Sequence, residues 1–179
     1  MTAKKGTHSF TSKESALSEK TSQEIFNEVL LLEEFKDFTV KKSYSINEVY
    51  GTNKACTFKG KDSLCYPDFG IVSYKGKYVA IGDNKYQKTR QNVVERINLY
   101  STDIVPLGIK PENLFIVYDG PGFDKDKNGN MPGSTGKQYI RSLYKKHTVL
   151  LQPSKKELYE KVYLFFKRIK EEENIIKNK

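Results

Sequence analysis

The chain has 179 residues, with 31 Lys plus Arg against 22 Asp plus Glu, a formal net charge of +9 and a hydrophobic share of 37%. That length fits one domain rather than two independent cores, and the apolar content exceeds that of a disordered chain. No apolar run reaches the roughly 18 residues a spanning helix needs, so no membrane partner is expected.

The polar opening, Met1 to Lys20, holds no apolar stretch of signal-peptide length and reads as a flexible arm ahead of a single domain over residues 21–179. A cytoplasmic location follows as an expectation, and Cys56 and Cys65, too few for a four-ligand zinc site, are expected to stay reduced. The basic excess suits a polyanionic partner, since Lys and Arg displace counterions from phosphates; a solvated lysine-rich surface is the alternative. Only Arg90, Arg96, Arg141 and Arg168 offer the planar fork that reads bases.

In chain order, Thr21 with Glu24 fits a capping box, and Ile25, Val29, Leu32 and Phe35 give an apolar stripe for a first helix ending near Asp37. Residues 39–66 are ambiguous, with short β-prone runs at Phe38-Thr39-Val40 and Glu48-Val49-Tyr50. Phe69 to Tyr74, then Lys75-Gly76, then Lys77 to Lys85 predicts a β-hairpin. A helix is predicted from about Lys88 to Tyr100, and a buried strand over Leu114 to Tyr118. A glycine-rich loop spans residues 121–137, Thr148 to Leu151 suits one more strand, and a long helix runs from Pro153 to about Ile176. The resulting fold class is α/β, a mixed central β-sheet flanked by helices.

A two-residue turn at Lys75-Gly76 pairs Tyr74 with Lys77, Val72 with Val79, Gly70 with Ile81 and Asp68 with Asp83. The two carboxylates then lie directly opposite, with Cβ atoms roughly 4.5–5.5 Å apart. Alternation places Lys85 on the face of Asp83 and turns Asn84 away. Opposed like charges destabilise a sheet unless compensated, and a divalent cation would compensate them. Two carboxylates with water and phosphate oxygens suit Mg²⁺, with Mn²⁺ as a substitute, and the adjacent lysine suits phosphodiester hydrolysis. The plainer reading is a solvated polar end of a hairpin. Glu24 or Glu28 on the first helix is a further possible metal ligand that spacing does not decide.

Pro67-Asp68-Phe69-Gly70-Ile71-Val72, followed by Asp83-Asn84-Lys85-Tyr86-Gln87, resembles the signature of the PD-(D/E)xK nucleases, and within them the EcoRI-type restriction endonucleases. Gln91-Asn92-Val93-Val94-Glu95-Arg96 resembles the Gly-Asn-Ala-x-Glu-Arg helix motif of that subgroup. The resemblance covers residues 66–120 and departs from the subgroup in three ways: Asp83 for Glu, Gln-Asn-Val for Gly-Asn-Ala, and a shorter gap between Lys85 and Asn92. It implies a restriction-endonuclease-like core, Asp68 and Asp83 as metal ligands, Lys85 as the catalytic lysine, and Gln87 as a supporting residue. It also implies a homodimer acting on palindromic double-stranded DNA, with a cognate methyltransferase.

Apart from the resemblance, the helix reads first as a surface helix with an ordinary Glu–Arg pair; beside the catalytic signature it reads as a DNA contact. Val93, Val94, Ile97 and Tyr100 form an apolar stripe, while Asn92 and Arg96 share another face beside Glu95. Asn pairs with adenine and Arg with guanine, so these residues are candidate base readers, with Lys88 and Arg90 near phosphates. Lys137 and Arg141 edge the glycine-rich loop as further DNA contacts. Asp124 to Gly129 begins like a calcium loop but carries Thr135 where Glu belongs, and Gly133-Ser134-Thr135-Gly136-Lys137 lacks the full phosphate-loop pattern. The function expected is therefore a type II restriction endonuclease. Its rivals are a structure-specific nuclease of the same superfamily, acting on junctions or damage, and a DNA-binding protein without catalysis.

Overall fold

The computed structural model describes residues 13–42, 67–86, 110–123 and 148–177. Helix α1 (Lys13–Leu30) leads through a 3-10 turn (Glu33–Phe35) into β1 (Phe38–Lys41). Strands β2 (Gly70–Tyr74), β3 (Lys77–Tyr86), β4 (Leu114–Asp119) and β5 (Thr148–Leu151) follow, and helix α2 (Lys155–Lys177) comes last. The five strands lie side by side in sequence order: β1, β2 and β3 are antiparallel, whereas β3, β4 and β5 run parallel. This is the expected α/β class with a mixed sheet.

The Lys75-Gly76 turn forms as expected, with positive φ at both residues (49° and 83°), the backbone that matches the twist of flanking strands. The register beyond it does not hold. Tyr74 pairs with Lys77 and Ser73 with Tyr78, but Val72 pairs with Ala80 and Gly70 with Gly82. Val79 is the extra residue of a β-bulge, and every later pairing moves by one. Two observations explain why the bulge is stable. Val79 and Ala80 are both buried in the helix-side core, and Asn113 Nδ2, itself buried, donates to the Val79 carbonyl at 2.9 Å. A bulge leaves a backbone group without its ladder partner, and here a side chain supplies one.

The first helix begins earlier than its sequence suggests. Residues 13–20, read as part of a flexible arm, are helical, so Thr21 lies inside α1 and caps nothing. The contacts that order this polar half are polar too: Ser22 is buried, and Ser18 Oγ donates to Asp119 Oδ2 at the end of β4. The helix also stops sooner, at Leu30, and Phe35 enters the core from the 3-10 turn instead.

Helices α1 and α2 share one side of the sheet. Their core is aromatic: Phe26 stacks on Phe69 at 5.1 Å between ring centroids and meets Phe166 edge-on at 5.0 Å, while Phe38 meets Phe166 at 5.1 Å. Such pairs add about 0.5–1.5 kcal/mol each beyond simple burial. Leu158, Val162, Phe165, Phe166 and Ile169 of α2 are all buried there, as the apolar stripe of that helix requires. Arg168 bonds Asn113 Oδ1 (3.1 Å), the Glu112 carbonyl (2.7 Å) and Glu172 (2.8 Å), so this arginine ties α2 to the entry of β4.

Two glycines are dictated by close approach. Gly70 has a φ of 103°, and a Cβ there would lie 2.6 Å from Val40 Cγ1 and 2.7 Å from the Lys41 carbonyl oxygen. Gly82 admits the Phe69 ring, which a Cβ would meet at 3.0 Å. Both flank the segment that carries Asp68 and Asp83.

Candidate functional site

Side chains alternate along β3, so Val79 aside, Ala80, Gly82 and Asn84 face the helices, and Ile81, Asp83 and Lys85 face the opposite side. Asn84 Nδ2 lies 3.4 Å from Ser18 Oγ on α1, which fixes that assignment. The acid-bearing end of β3 is also the carboxyl end of the parallel strands, where open α/β sheets tend to bind ligands.

The bulge carries Asp68 out of direct opposition to Asp83, correcting the expected register, yet the two side chains still meet. Asp68 lies in a bend just before β2, and its backbone N–H donates to Asp83 Oδ1 at 2.9 Å. The Asn84 N–H lies 3.0 Å from Asp83 Oδ1 and 3.2 Å from Asp68 Oδ2, so one amide serves both carboxyl groups. Lys85 Nζ stands 2.5 Å from Asp83 Oδ2 and 3.7 Å from Asp68 Oδ2. The three groups expected to converge do so.

Electrostatics divide the two acids. Asp83 is 1% exposed, but its Oδ1 accepts two backbone N–H bonds and its Oδ2 forms an ion pair with the Lys85 ammonium. Asp68 is pushed up to about 8, first by burial and then by the neighbouring Asp83 carboxylate, against the opposing pull of Lys85. Tyr118, the register partner of Lys85 on β4, is raised by burial and by Asp83, and remains a neutral phenol beside the site.

The donor set fits a hard divalent cation in a specific sense. An ammonium already lies where two carboxylates converge, and a magnesium ion takes one or two carboxylates with the rest of its shell from water and phosphate. Among the described residues no cluster of three or more His, Cys, Asp or Glu forms a ready-made cage. Asp68 and Asp83 would hold the ion, and Lys85 would move aside for it.

Neither Glu24 nor Glu28 joins this site: both are exposed, and Glu24 pairs with Lys20 at 3.8 Å. The acid of α1 whose charge reaches Asp68 is Glu19. It lies in the segment read as a flexible arm, and recognising it requires α1 to start near Lys13. Gln23 was also missed. Its Nε2 donates to the Asp68 carbonyl at 2.8 Å and to Glu19 Oε1 at 3.2 Å.

Gln87, the expected supporting residue, and Lys88, Arg90, Asn92, Glu95, Arg96, Lys137 and Arg141, the expected DNA contacts, lie outside the described residues, as do Cys56, Cys65 and both discounted loop motifs. No described helix is long and apolar enough to cross a membrane. No family model, no curated protein and no solved structure matches this chain.

Proposed function

We propose that the chain is a Mg²⁺-dependent DNA endonuclease of the PD-(D/E)xK kind, and that it acts as a type II restriction enzyme. The observation that carries this reading is the meeting of Asp68, Asp83 and Lys85 at one end of a hairpin, with Lys85 Nζ within 4 Å of both carboxylates. That combination suits metal-assisted hydrolysis of a phosphodiester. A divalent cation held by the two acids would supply Lewis acidity, activating water and offsetting the charge that grows on phosphorus.

The chain's own residues account for the remainder. Asp83, anchored by two backbone N–H groups, is the fixed ligand. Asp68 would be the second ligand. Lys85, within reach of both carboxylates, would orient the attacking water or neutralise a phosphate oxygen. The basic excess of the chain favours a polyanionic substrate. By resemblance, Asn92, Glu95 and Arg96 read the bases, Gln87 supports the site, and Lys88, Arg90, Lys137 and Arg141 contact the backbone. A homodimer would match a palindromic site and cut both strands, beside a cognate methyltransferase.

Digestion of plasmid DNA with the full chain and Mg²⁺ tests this reading. Discrete bands are expected, and Asp83→Ala and Lys85→Ala should abolish cutting while DNA binding survives. Cleavage confined to branched DNA would replace the restriction assignment with a structure-specific nuclease. Activity unchanged in both variants would remove the catalytic assignment altogether.

A further inference from the structure

Asp68 is the less securely built of the two acids. Asp83 belongs to a continuous strand, whereas Asp68 lies in a bend, before the β2 ladder begins at Gly70. Outside a ladder, a residue's position depends on whatever holds its own peptide groups. For Asp68 those anchors are three: its N–H is held by the Asp83 carboxylate, its carbonyl accepts from Gln23 Nε2 at 2.8 Å, and the Phe69 N–H of the same peptide donates to the Gly82 carbonyl at 3.0 Å. The first anchor is itself a proposed cation ligand, whose oxygens are shared with the ion. Of these three, Gln23 is the one side chain that is independent of the cation.

Helix α1 holds this bend at two points. Gln23 bonds the Asp68 carbonyl, and three residues later Phe26 stacks its ring on that of Phe69 at 5.1 Å. Residues three apart share a helix face, so one face of α1 grips consecutive residues of the acid-bearing segment. Glu19, one turn earlier, accepts the other hydrogen of the Gln23 amide at 3.2 Å and fixes which way that amide points. Both protons of the amide are thus committed, one to Glu19 and one to the backbone of Asp68.

We infer that Gln23 is a positioning residue: its bond to the Asp68 carbonyl sets where the Asp68 carboxylate stands and thereby the cation affinity of the hairpin-end site. This rests on reading Asp68 and Asp83 as a divalent-cation site. Groups that orient metal ligands are worth about 10–100-fold in metal affinity. The bond to the backbone, not a charge, is the active part, so an isosteric side chain without donors removes it.

Titration of the full-length chain with Mn²⁺, free and bound ion being counted by electron paramagnetic resonance, tests the inference alongside thermal melting. Gln23→Met is expected to bind Mn²⁺ about tenfold more weakly than the wild type. Gln23→Asn, too short to reach both partners, should behave like Gln23→Met and serves if the Met variant does not fold. The loss of affinity should persist at temperatures well below either variant's melting point. Lowered melting temperature with unchanged Mn²⁺ affinity would make Gln23 merely structural and overturn the inference. Absence of Mn²⁺ binding by the wild type would overturn the cation-site reading and this inference with it; wild-type binding with unaltered variants overturns the inference alone.

Discussion

Val79 and Ala80 near the middle of β3 are 5% and 0% exposed; Asp83 and Asn84, farther along the same strand, are 1% and 4% exposed. Burial is equal, but the causes of stability are not. The first pair adds apolar area to an aromatic core, worth roughly 25 cal/mol per Å² removed from water. The second pair removes polar groups from water, which costs free energy unless every group is matched. Asp83 is matched by two N–H donors and a lysine, while Asp68 beside it holds its proton. One strand thus contains a segment stabilised by packing and a segment held by backbone N–H bonds and an ion pair.

The contrast can be tested first on the packed side, where the effect should be largest. Phe166 is fully buried and touches Phe26, Phe35, Phe38 and Phe165. Phe166→Ala should lower the unfolding free energy in urea by about 4 kcal/mol, the cost of a large core truncation. Gly70→Ala should cost about 3 kcal/mol by the same assay, because its Cβ would strike Val40 and the Lys41 carbonyl at a positive φ.

The polar side should respond to pH instead. Asp68 titrates at about 8 in the folded chain against 3.8 as its ordinary value. A raised value in the folded state means that this group's contribution is fully present below the ordinary value and is lost as the pH rises through about 8. Urea unfolding in EDTA should therefore find Asp68→Asn gaining stability relative to the wild type between pH 5 and pH 9. An unchanged difference across that range would show that Asp68 ionises freely. The smallest effect belongs to the turn: Lys75→Gly should leave the urea unfolding midpoint nearly unchanged. Its positive φ is relieved, and its half-exposed pair with Asp37 at 3.5 Å contributes little.

The two regions also differ in how far the sequence disclosed them. Lys75-Gly76 between alternating segments specified the hairpin, and the apolar stripe of Leu158, Val162, Phe165, Phe166 and Ile169 specified α2, because local chemistry suffices for each. The bulge at Val79 was hidden, since its stabilising bond comes from Asn113, distant in the chain. The start of α1 was hidden for a related reason: Ser18 and Ser22 are core-facing only because Asp119 and the sheet lie beneath them. The acids and lysine of the site were legible as residue types at a hairpin's end. Their closeness survived a wrong register because Asp68 leaves the ladder and reaches back through its own N–H to Asp83. Gln23 carried no signal, as a glutamine on a helix face reveals nothing until its carbonyl partner is known.

The central claim is that the end of β3 opposite the helices binds a divalent cation through Asp68 and Asp83. Calorimetric titration of the wild type and of Asp83→Asn with Mg²⁺, repeated in buffers of differing ionisation heat, tests it most directly. The expected result is one ion per chain, proton release on binding that shrinks as the pH rises past about 8, and no binding by Asp83→Asn. Wild-type protein that takes up no Mg²⁺, or an Asp83→Asn variant that binds it as well as the wild type, would contradict the claim.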